Sequence, residues 1–183
     1  GPVGHHVPGQ FHTHRGAQPV PLRLPQRSAA RLTLHQALTH TAGLSAGTYD
    51  GVGPQDDSAL GERLRTHGAR FCLWEPGAIY SYSNAGYWLA GVAIESATGR
   101  YYAPAVSELI LKPLGMTRAT FYLAEAKARS MAHGHGPAGL GPARLIPTID
   151  NMDIAATRPA GKLFCSAPLF ARFCIAFMNG GEL

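Results

Sequence analysis

The sequence lacks several features that would assign it to a class at once. No uninterrupted apolar run reaches the roughly 18 residues of a membrane-spanning helix, so we expect no membrane span. Residues 1–10 contain no apolar stretch of the kind that signal peptides carry, so we expect no signal peptide in this chain. Lysine is scarce, and the net charge of +5 comes mainly from single, scattered arginines without interleaved aromatic residues. We therefore expect no nucleic-acid partner.

Cysteine and regular metal-ligand spacings are also scarce. The three cysteines, Cys72, Cys165 and Cys174, are an odd number in apolar surroundings, and we expect them to be buried free thiols. Nine histidines are present, but no cysteine or carboxylate completes a metal site at regular spacing, so we expect neither a metal nor another cofactor. The clustered histidines are interpreted as solvated loop residues: His5, His6, His12, His14, His133 and His135.

Enough apolar sequence is present for a folded core, since hydrophobic residues make up 45% of the 183 residues. The first part of the chain is rich in Pro, Gly, His and Arg and has neither a helical nor a strand period. The predicted organisation is therefore an irregular arm over residues 1–32, followed by a mainly helical domain over residues 33–183.

Five helices are predicted after the arm, the first two from local signals. Thr33 and Gln36 have the spacing of a capping box, and Gly43 suits the position just after the end of that helix. Asp57 is expected to cap the second helix, which Gly68 would end. The apolar residues on the inner face of this second helix are Leu60 and Leu64.

The later helices are predicted from apolar composition. Nearly every side chain over residues 85–97 is uncharged, which is typical of a helix buried on all sides, and Thr98-Gly99 is expected to end it. A helix over residues 102–111 follows, and the last one begins near Ser166. We expect the first and the last of these three helices to form the core pair. Residues 116–160 are predicted as loops, and the short strand candidates are residues 71–74, 80–82 and 120–122.

The most informative run lies over residues 75–87, where a Pro-Gly turn leads through Tyr and Ser residues into the most apolar helix. Tyr82 and Asn84 are two residues apart, immediately before the start of that helix. Such a position is rigid and favours negative charge, which suits a phenol that transfers a proton beside an amide that binds a substrate. The structural alternative is a packed tyrosine with Ser83 or Asn84 as a helix cap.

Other polar and aromatic residues have structural interpretations. His40 and Thr41 are expected at the C-terminal end of the first helix, where a charged imidazole is favoured, and we prefer this to a catalytic role for His40. The carboxylates are interpreted as capping or solvated groups: Asp56, Asp57, Asp150 and Asp153. The aromatic residues expected in the core or at its edge are Trp74, Trp88, Tyr101 and Tyr102.

Six ordered segments resemble the serine β-lactamase-like superfamily, in particular the group of class C β-lactamases, DD-peptidases and carboxylesterases. The segments are Pro2-Val3 with Val7-Pro8, residues 32–44 (LTLHQALTHTAGL), residues 76–87 around the Tyr-Ser-Asn run, residues 113–117 (PLGMT), residues 132–135 (AHGH) and residues 159–181 (PAGKLF to NGG). The resemblance implies an α+β fold of the β-lactamase/transpeptidase type, with mainly the helical subdomain represented here.

The resemblance also implies a mechanism. In this family a serine on an S-x-x-K helix attacks an acyl carbonyl, and a lysine and the motif tyrosine exchange the proton. Tyr82 would be the acid/base and Asn84 a substrate-contacting amide, with Leu44 and Ser45 on the rim of the pocket. The implied substrate is a small ester, amide or β-lactam. The compartment would be cytoplasmic for an esterase and periplasmic for a β-lactamase.

The chain departs from the family pattern at the nucleophile. It contains no S-x-x-K; the nearest spacing joins Ser28 to Arg31, and arginine stays protonated and cannot act as a base. Residues 133–136 (HGHG) resemble the family's H-x-G in the wrong order, and Lys162 stands where the family has glycine. We therefore expect an acyl hydrolase that is impaired in this chain. The alternative is a non-catalytic helical binding module or a truncated fragment, able to form a homodimer through an exposed apolar face.

Overall fold

The computed structural model describes residues 32–46, 55–67, 73–132, 135–138, 141–145 and 154–182. Residues 1–31 of the irregular arm lie outside these residues, and the domain boundary stays a prediction. The described parts contain mostly helices and one antiparallel hairpin. The elements are α1 (Leu34–Leu38), α2 (Ala59–His67), α3 (Asn84–Thr98), α4 (Tyr102–Val106), a π-helical segment (Ser107–Leu111), α5 (Leu123–Lys127), β1 (His135–Ala138), β2 (Gly141–Leu145), a 3₁₀ helix (Ala155–Ala160) and α6 (Ala167–Met178).

Helix α1 begins as its sequence predicts. The Thr33 hydroxyl accepts from the Gln36 N–H at 3.2 Å, and the Gln36 side chain accepts from the Thr33 N–H at 2.9 Å, which confirms the capping box. The helix ends at Leu38, so the prediction that Gly43 follows its last turn is wrong. Gly43 has φ +71°, and a Cβ there would lie 2.0 Å from the Trp74 carbonyl oxygen. Glycine is required because two loops approach each other at this point.

Helix α2 buries Leu60 and Leu64 as predicted, but Asp57 does not cap it. The neighbouring Asp56 carboxylate accepts the Ser58 N–H at 2.8 Å instead. Asp57 turns inward and accepts the Tyr122 hydroxyl at 2.9 Å. It also forms an ion pair with Arg158, which is buried. The helix ends at His67, and Gly68 lies outside the described residues.

Helix α3 is the centre of the fold, and it contacts α1, α2, α4 and the 3₁₀ helix. Gly99, with φ +65°, follows its last residue as predicted. The prediction that α3 is buried on all sides is wrong, because none of its residues after Gly91 is buried: three are exposed and the other four are half-buried. The buried positions are in the first half: Ala85, Gly86, Trp88 and Gly91.

The core contains two larger apolar clusters and a small one of Ala59, Ala155 and Ala156. The first joins the loop after α1 to α2 and α3, and its buried members are Ala42, Leu44, Leu60, Leu64, Ala85 and Trp88. The second joins α4 and the π-helical segment to the loop that follows, and its buried members are Ala103, Leu111, Met116 and Phe121. The helix predicted over residues 102–111 is present, with π-helical geometry in its second half.

Residues 116–160 contain more regular structure than predicted. Helix α5, the 3₁₀ helix and the hairpin lie in this range. In the hairpin, His135 pairs with Leu145 and Ala138 with Gly141, with an irregularity between these pairs. The strand candidates are not strands in the described residues: only an isolated antiparallel bridge joins Thr120 to Phe164. Residues 71–72 lie outside the described residues.

Helix α6 begins after Ser166 as predicted, with Pro168 in its first turn. It does not form a core pair with α3, which corrects that prediction. Leu169 packs against the second core cluster, and the Arg172 guanidinium donates to the Leu114 carbonyl oxygen at 3.3 Å. Its other large apolar side chains are largely exposed: Phe170, Phe173, Ile175, Phe177 and Met178.

The sulfur and aromatic predictions are only partly confirmed. Cys165 and Cys174 are free, but Cys165 is exposed and Cys174 half-buried, while Cys72 lies outside the described residues. Trp88 is fully buried and Tyr102 half-buried, as expected. The two aromatic residues that are exposed instead are Trp74 and Tyr101. Within the described residues, no helix has the length and apolar character to cross a membrane.

Candidate active site

The segment that carries Tyr82 and Asn84 runs beside the loop after α1, and main-chain hydrogen bonds fix the two together. The Gly77 N–H donates to the Thr41 carbonyl at 2.7 Å, and the Asn84 N–H donates to the Ala46 carbonyl at 3.2 Å. Gly77 has φ +89°, which glycine adopts without strain in the Pro-Gly turn. The loop after α1 therefore holds the segment that leads into α3 at both of its ends.

Tyr82 and Asn84 meet at the first turn of α3, as their spacing predicts. The Tyr82 hydroxyl donates to Asn84 Oδ1 at 3.2 Å, and 57% of Tyr82 is exposed. Because Oδ1 accepts this bond, the Asn84 amide group keeps two N–H donors for another partner. Neither Ser83 nor Asn84 caps α3 through its side chain, which argues against the purely structural alternative.

Leu44 is not on a pocket rim, which corrects its assignment. Its side chain is 2% exposed and belongs to the core cluster around Trp88. The adjacent Ser45 is half-exposed, one residue before the Ala46 carbonyl that accepts the Asn84 N–H. Of the two predicted rim residues, only Ser45 remains a candidate for substrate contact.

His40 is the site residue whose contacts sequence reasoning missed. Its ring lies 4.7 Å from the Tyr82 ring, 5.4 Å from the Tyr87 ring and 5.8 Å from the Tyr80 ring, between centroids. His40 Nδ1 accepts the Ser83 N–H at 3.1 Å. A backbone N–H can only donate, so Nδ1 accepts this bond through its lone pair. His40 lies just after the C-cap of α1, as predicted, but its ring faces the segment that carries Tyr82.

The most strongly shifted pKa among the described residues belongs to a different cluster. Burial and the hydrogen bond to Asp57 raise the pKa of Tyr122 to about 12, and its ring lies 4.6 Å below the Arg158 guanidinium. Burial and the Asp57 carboxylate keep this phenol neutral, while the nearby Arg158 charge acts in the opposite direction. Its shift has a structural cause, although shifted groups often mark active sites.

No group of three His, Cys, Asp or Glu that could hold a metal occurs in the part of the chain that the structure describes. Ser28 and Arg31 lie outside that part, as do His133 and most of the other clustered histidines. The described site therefore offers an exposed phenol, an amide with free donors and an imidazole whose Nδ1 accepts a backbone hydrogen bond. These groups can bind a carbonyl compound and move a proton, but they include no activated nucleophile.

A sequence model of the Beta-lactamase family matches residues 1–183, the whole chain. The chain belongs to the beta-lactamase family. This membership, together with the structural similarity below, establishes a β-lactamase/transpeptidase-like fold for what is present.

Relatives of this beta-lactamase-family chain are considerably longer. Esterase EstB of Burkholderia gladioli is 33% identical over 126 residues, which are 62% of this chain and 32% of EstB. PbpX of Bacillus subtilis (strain 168) is 28% identical over 165 residues, 90% of this chain and 40% of PbpX. The octameric penicillin-binding protein homologue from Pyrococcus abyssi superposes with a TM-score of 0.64 at 25% identity, over 82% of this chain and 35% of that protein. The chain thus spans about a third to two fifths of these relatives.

Proposed function

We propose that Tyr82 and Asn84 form the proton-transfer and substrate-binding part of a serine acyl-hydrolase site, acting on a small ester, amide or β-lactam. The observation that carries the proposal is the hydrogen bond between the exposed Tyr82 hydroxyl and Asn84 at the start of α3. Tyr82 would exchange a proton with the nucleophile or leaving group, and Asn84 would donate to the substrate. Family membership supports this assignment, as does the name of EstB, an esterase.

We also propose that the 183-residue chain hydrolyses such substrates poorly or not at all by itself. Its sequence contains no S-x-x-K, so no lysine is placed to activate a serine three residues before it. Removing the nucleophile of a serine hydrolase costs several powers of ten in rate, because binding and electrostatics alone replace little of its contribution. The substrate-binding part can nevertheless be tested separately from turnover.

Binding would be measured by titrating ¹⁵N-labelled chain with benzylpenicillin and with phenyl acetate. Weak binding should shift the Asn84 side-chain amide and the amides around Tyr82, and Asn84→Ala should abolish the shifts. Asn179→Ala, an exposed asparagine after α6, is the matched control and should bind as the wild type does. Absence of shifts near α3 with both ligands would overturn the proposed site.

Turnover would be measured with nitrocefin and a nitrophenyl ester, and nucleophile activation by intact mass after fluorophosphonate treatment. We expect no adduct and no rate above the blank. A stoichiometric adduct, or turnover that disappears in Tyr82→Phe but persists in Tyr101→Phe, would show that an activated serine exists and that the chain is a complete catalyst.

A second candidate function is a non-catalytic helical module that pairs with a copy of itself. The observation that favours it is the exposed apolar face of α6, where the Phe170, Phe173 and Phe177 rings stack in a row with centroids 5.8 and 6.4 Å apart. Water-exposed aromatic rows of this kind are typical of contact surfaces. Titration with the two ligands tests the first function, and measurement of self-association tests the second.

A further inference from the structure

We infer that His40 is a positioning residue that holds Tyr82 against Asn84, an inference that rests on the function proposed above. His40 accepts hydrogen bonds from both neighbours of Tyr82 in the chain. The His40 carbonyl oxygen accepts the Ser81 N–H at 2.8 Å, and His40 Nδ1 accepts the Ser83 N–H at 3.1 Å. The backbone on each side of Tyr82 is therefore tied to a single residue.

The imidazole also contacts the Tyr82 side chain directly. The two rings are tilted by 39° with their centroids 4.7 Å apart, and Tyr80 and Tyr87 pack on the same imidazole. Tyr87 is itself tied to α1, because its hydroxyl donates to the Leu38 carbonyl at 3.4 Å. The His40 ring therefore restricts the directions open to the Tyr82 phenol, and one of these brings its hydroxyl to Asn84 Oδ1.

The backbone of His40 is unusual in a way that supports this role. Among the described residues, His40 is the one non-glycine residue with a positive φ, at +59°. It directly follows the C-cap of α1, where the Thr41 N–H donates to the Gln36 carbonyl at 2.9 Å, so the left-handed residue ends the helix and turns the chain. The conformation lets the carbonyl and Nδ1 of the same residue reach two amides that are two positions apart.

The tautomer of the His40 ring can be tested in the wild-type protein. Because Nδ1 accepts a hydrogen bond, the neutral ring must carry its proton on Nε2. A ¹⁵N imidazole spectrum at pH 8, where histidine side chains are ordinarily neutral, should show this tautomer for His40. A proton on Nδ1 would overturn the inference without any variant being needed.

Two substitutions separate the hydrogen bond from the ring. In His40→Asn the side-chain Oδ1 can take the place of Nδ1, and asparagine tolerates the positive φ. In His40→Ala both the acceptor and the ring are lost. We expect Ser83 amide exchange to become at least tenfold faster in His40→Ala and to be largely restored in His40→Asn. His35→Asn, an exposed histidine on α1, is the matched control and should leave Ser83 unchanged.

The exchange rates of the other α3 amides distinguish a local effect of His40→Ala from a loss of stability of the whole protein. A positioning role predicts faster exchange at Ser83 and loss of the Tyr82–Asn84 ring-to-amide nuclear Overhauser contact, while the amide of Val92 keeps its rate. A uniform acceleration along α3, or an unchanged Tyr82–Asn84 contact in His40→Ala, would overturn the inference. These readouts need no ligand, so a wild-type chain that fails to bind benzylpenicillin and phenyl acetate would overturn the proposed function and leave the role of His40 standing.

Discussion

Asp57 is the residue on which three separate parts of the chain converge. Its carboxylate accepts the Tyr122 hydroxyl at 3.1 and 2.9 Å and pairs with Arg158, which is only 5% exposed. The Arg158 guanidinium in turn lies over the Tyr122 ring. A buried cation of this kind is costly unless a carboxylate stays beside it, so the cluster stabilises the fold only as a complete unit.

Asp57→Asn should therefore destabilise the protein strongly. The substitution keeps the shape of the side chain but leaves the buried Arg158 charge unpaired, and we expect a loss of about 3 kcal/mol in the free energy of unfolding. Glu62→Gln is the control, since it removes an exposed ion pair with Arg65 that solvent screens, and it should change the stability little. Urea unfolding measures both. Equal losses in the two variants would contradict a role for burial.

Glu95 gives a stability that depends on pH. Burial raises the pKa of its carboxyl above 4.5, with a smaller opposing effect from the Tyr102 N–H that donates to it at 2.9 Å. A raised folded-state pKa contributes stability that is fully present below pH 4.5 and is lost as the pH rises through the folded pKa. Glu95→Gln keeps an acceptor for Tyr102 and has no charge to desolvate. It should be more stable than the wild type at pH 7 and equal to it near pH 4.

The control for this prediction has the opposite sign. The hydrogen bond from Lys112 lowers the pKa of exposed Glu108, so its contribution is present above pH 4.5 and is lost as the pH falls through the folded pKa. Glu108→Gln should not stabilise the protein at pH 7. Urea unfolding from pH 4 to pH 7 compares the two variants. A stability gap between Glu95→Gln and the wild type that does not change with pH would rule out the titration of Glu95 as its cause.

At the scale of elements, the packing of α3 depends on glycines at its contacts. A Cβ at Gly86 would lie 2.4 Å from the Ala37 carbonyl oxygen of α1, and a Cβ at Gly91 would lie 2.4 Å from Pro159 Cγ. The first of these neighbours is backbone and cannot move aside without shifting α1. Close approach of α1 to α3 also positions the loop that carries His40.

Gly86→Ala should therefore push α1 away from α3 and destabilise the protein by about 2 kcal/mol, although alanine is the better helix former. Gly61→Ala in α2 is the matched control, because its Cβ would meet only the end of the Glu95 side chain, at 4.0 Å. In Gly61→Ala the gain in helix propensity should outweigh this weak contact and stabilise the protein by about 0.5–1 kcal/mol. Thermal unfolding measures both changes, and a stabilised Gly86→Ala would show that the α1–α3 contact yields easily.

The elements that the sequence predicts correctly are those with local signals. The capping box at Thr33 and the glycine after α3 act within a few residues, and Tyr82 and Asn84 meet because they are two residues apart. Contacts between distant parts of the chain leave no such signal. Asp57 is a residue type that often caps helices, but it pairs with Arg158. His40 accepts the Ser83 N–H, 43 positions along the chain. The apolar pattern of α6 is the same for a core helix and for a helix with an exposed face, so pattern alone could not decide its place.

At the scale of the whole molecule, the outer face of α6 carries the two most exposed large apolar side chains among the described residues. Phe177 is 75% exposed and Met178 82%, next to the exposed Ile175. The other two exposed phenylalanines lie on the same helix. A standard interface buries about 800 Å² on each partner. One exposed helix face is smaller than that, so we expect the pairing of two copies through α6 to be weak.

We accordingly expect the purified chain to be in a concentration-dependent equilibrium between monomer and dimer. Light scattering after size exclusion should give a mass that rises from 19.4 kDa toward twice that value as the concentration increases. Phe177→Glu together with Met178→Glu should hold the chain as a monomer, since charge on both surfaces of a two-fold pair is repelled and desolvated. Leu109→Glu alters a comparably exposed apolar residue on the π-helical segment and should leave association unchanged. A wild type that stays monomeric at every concentration, or a Leu109→Glu variant that dissociates as the double variant does, would show that α6 is not the surface on which copies of this chain meet.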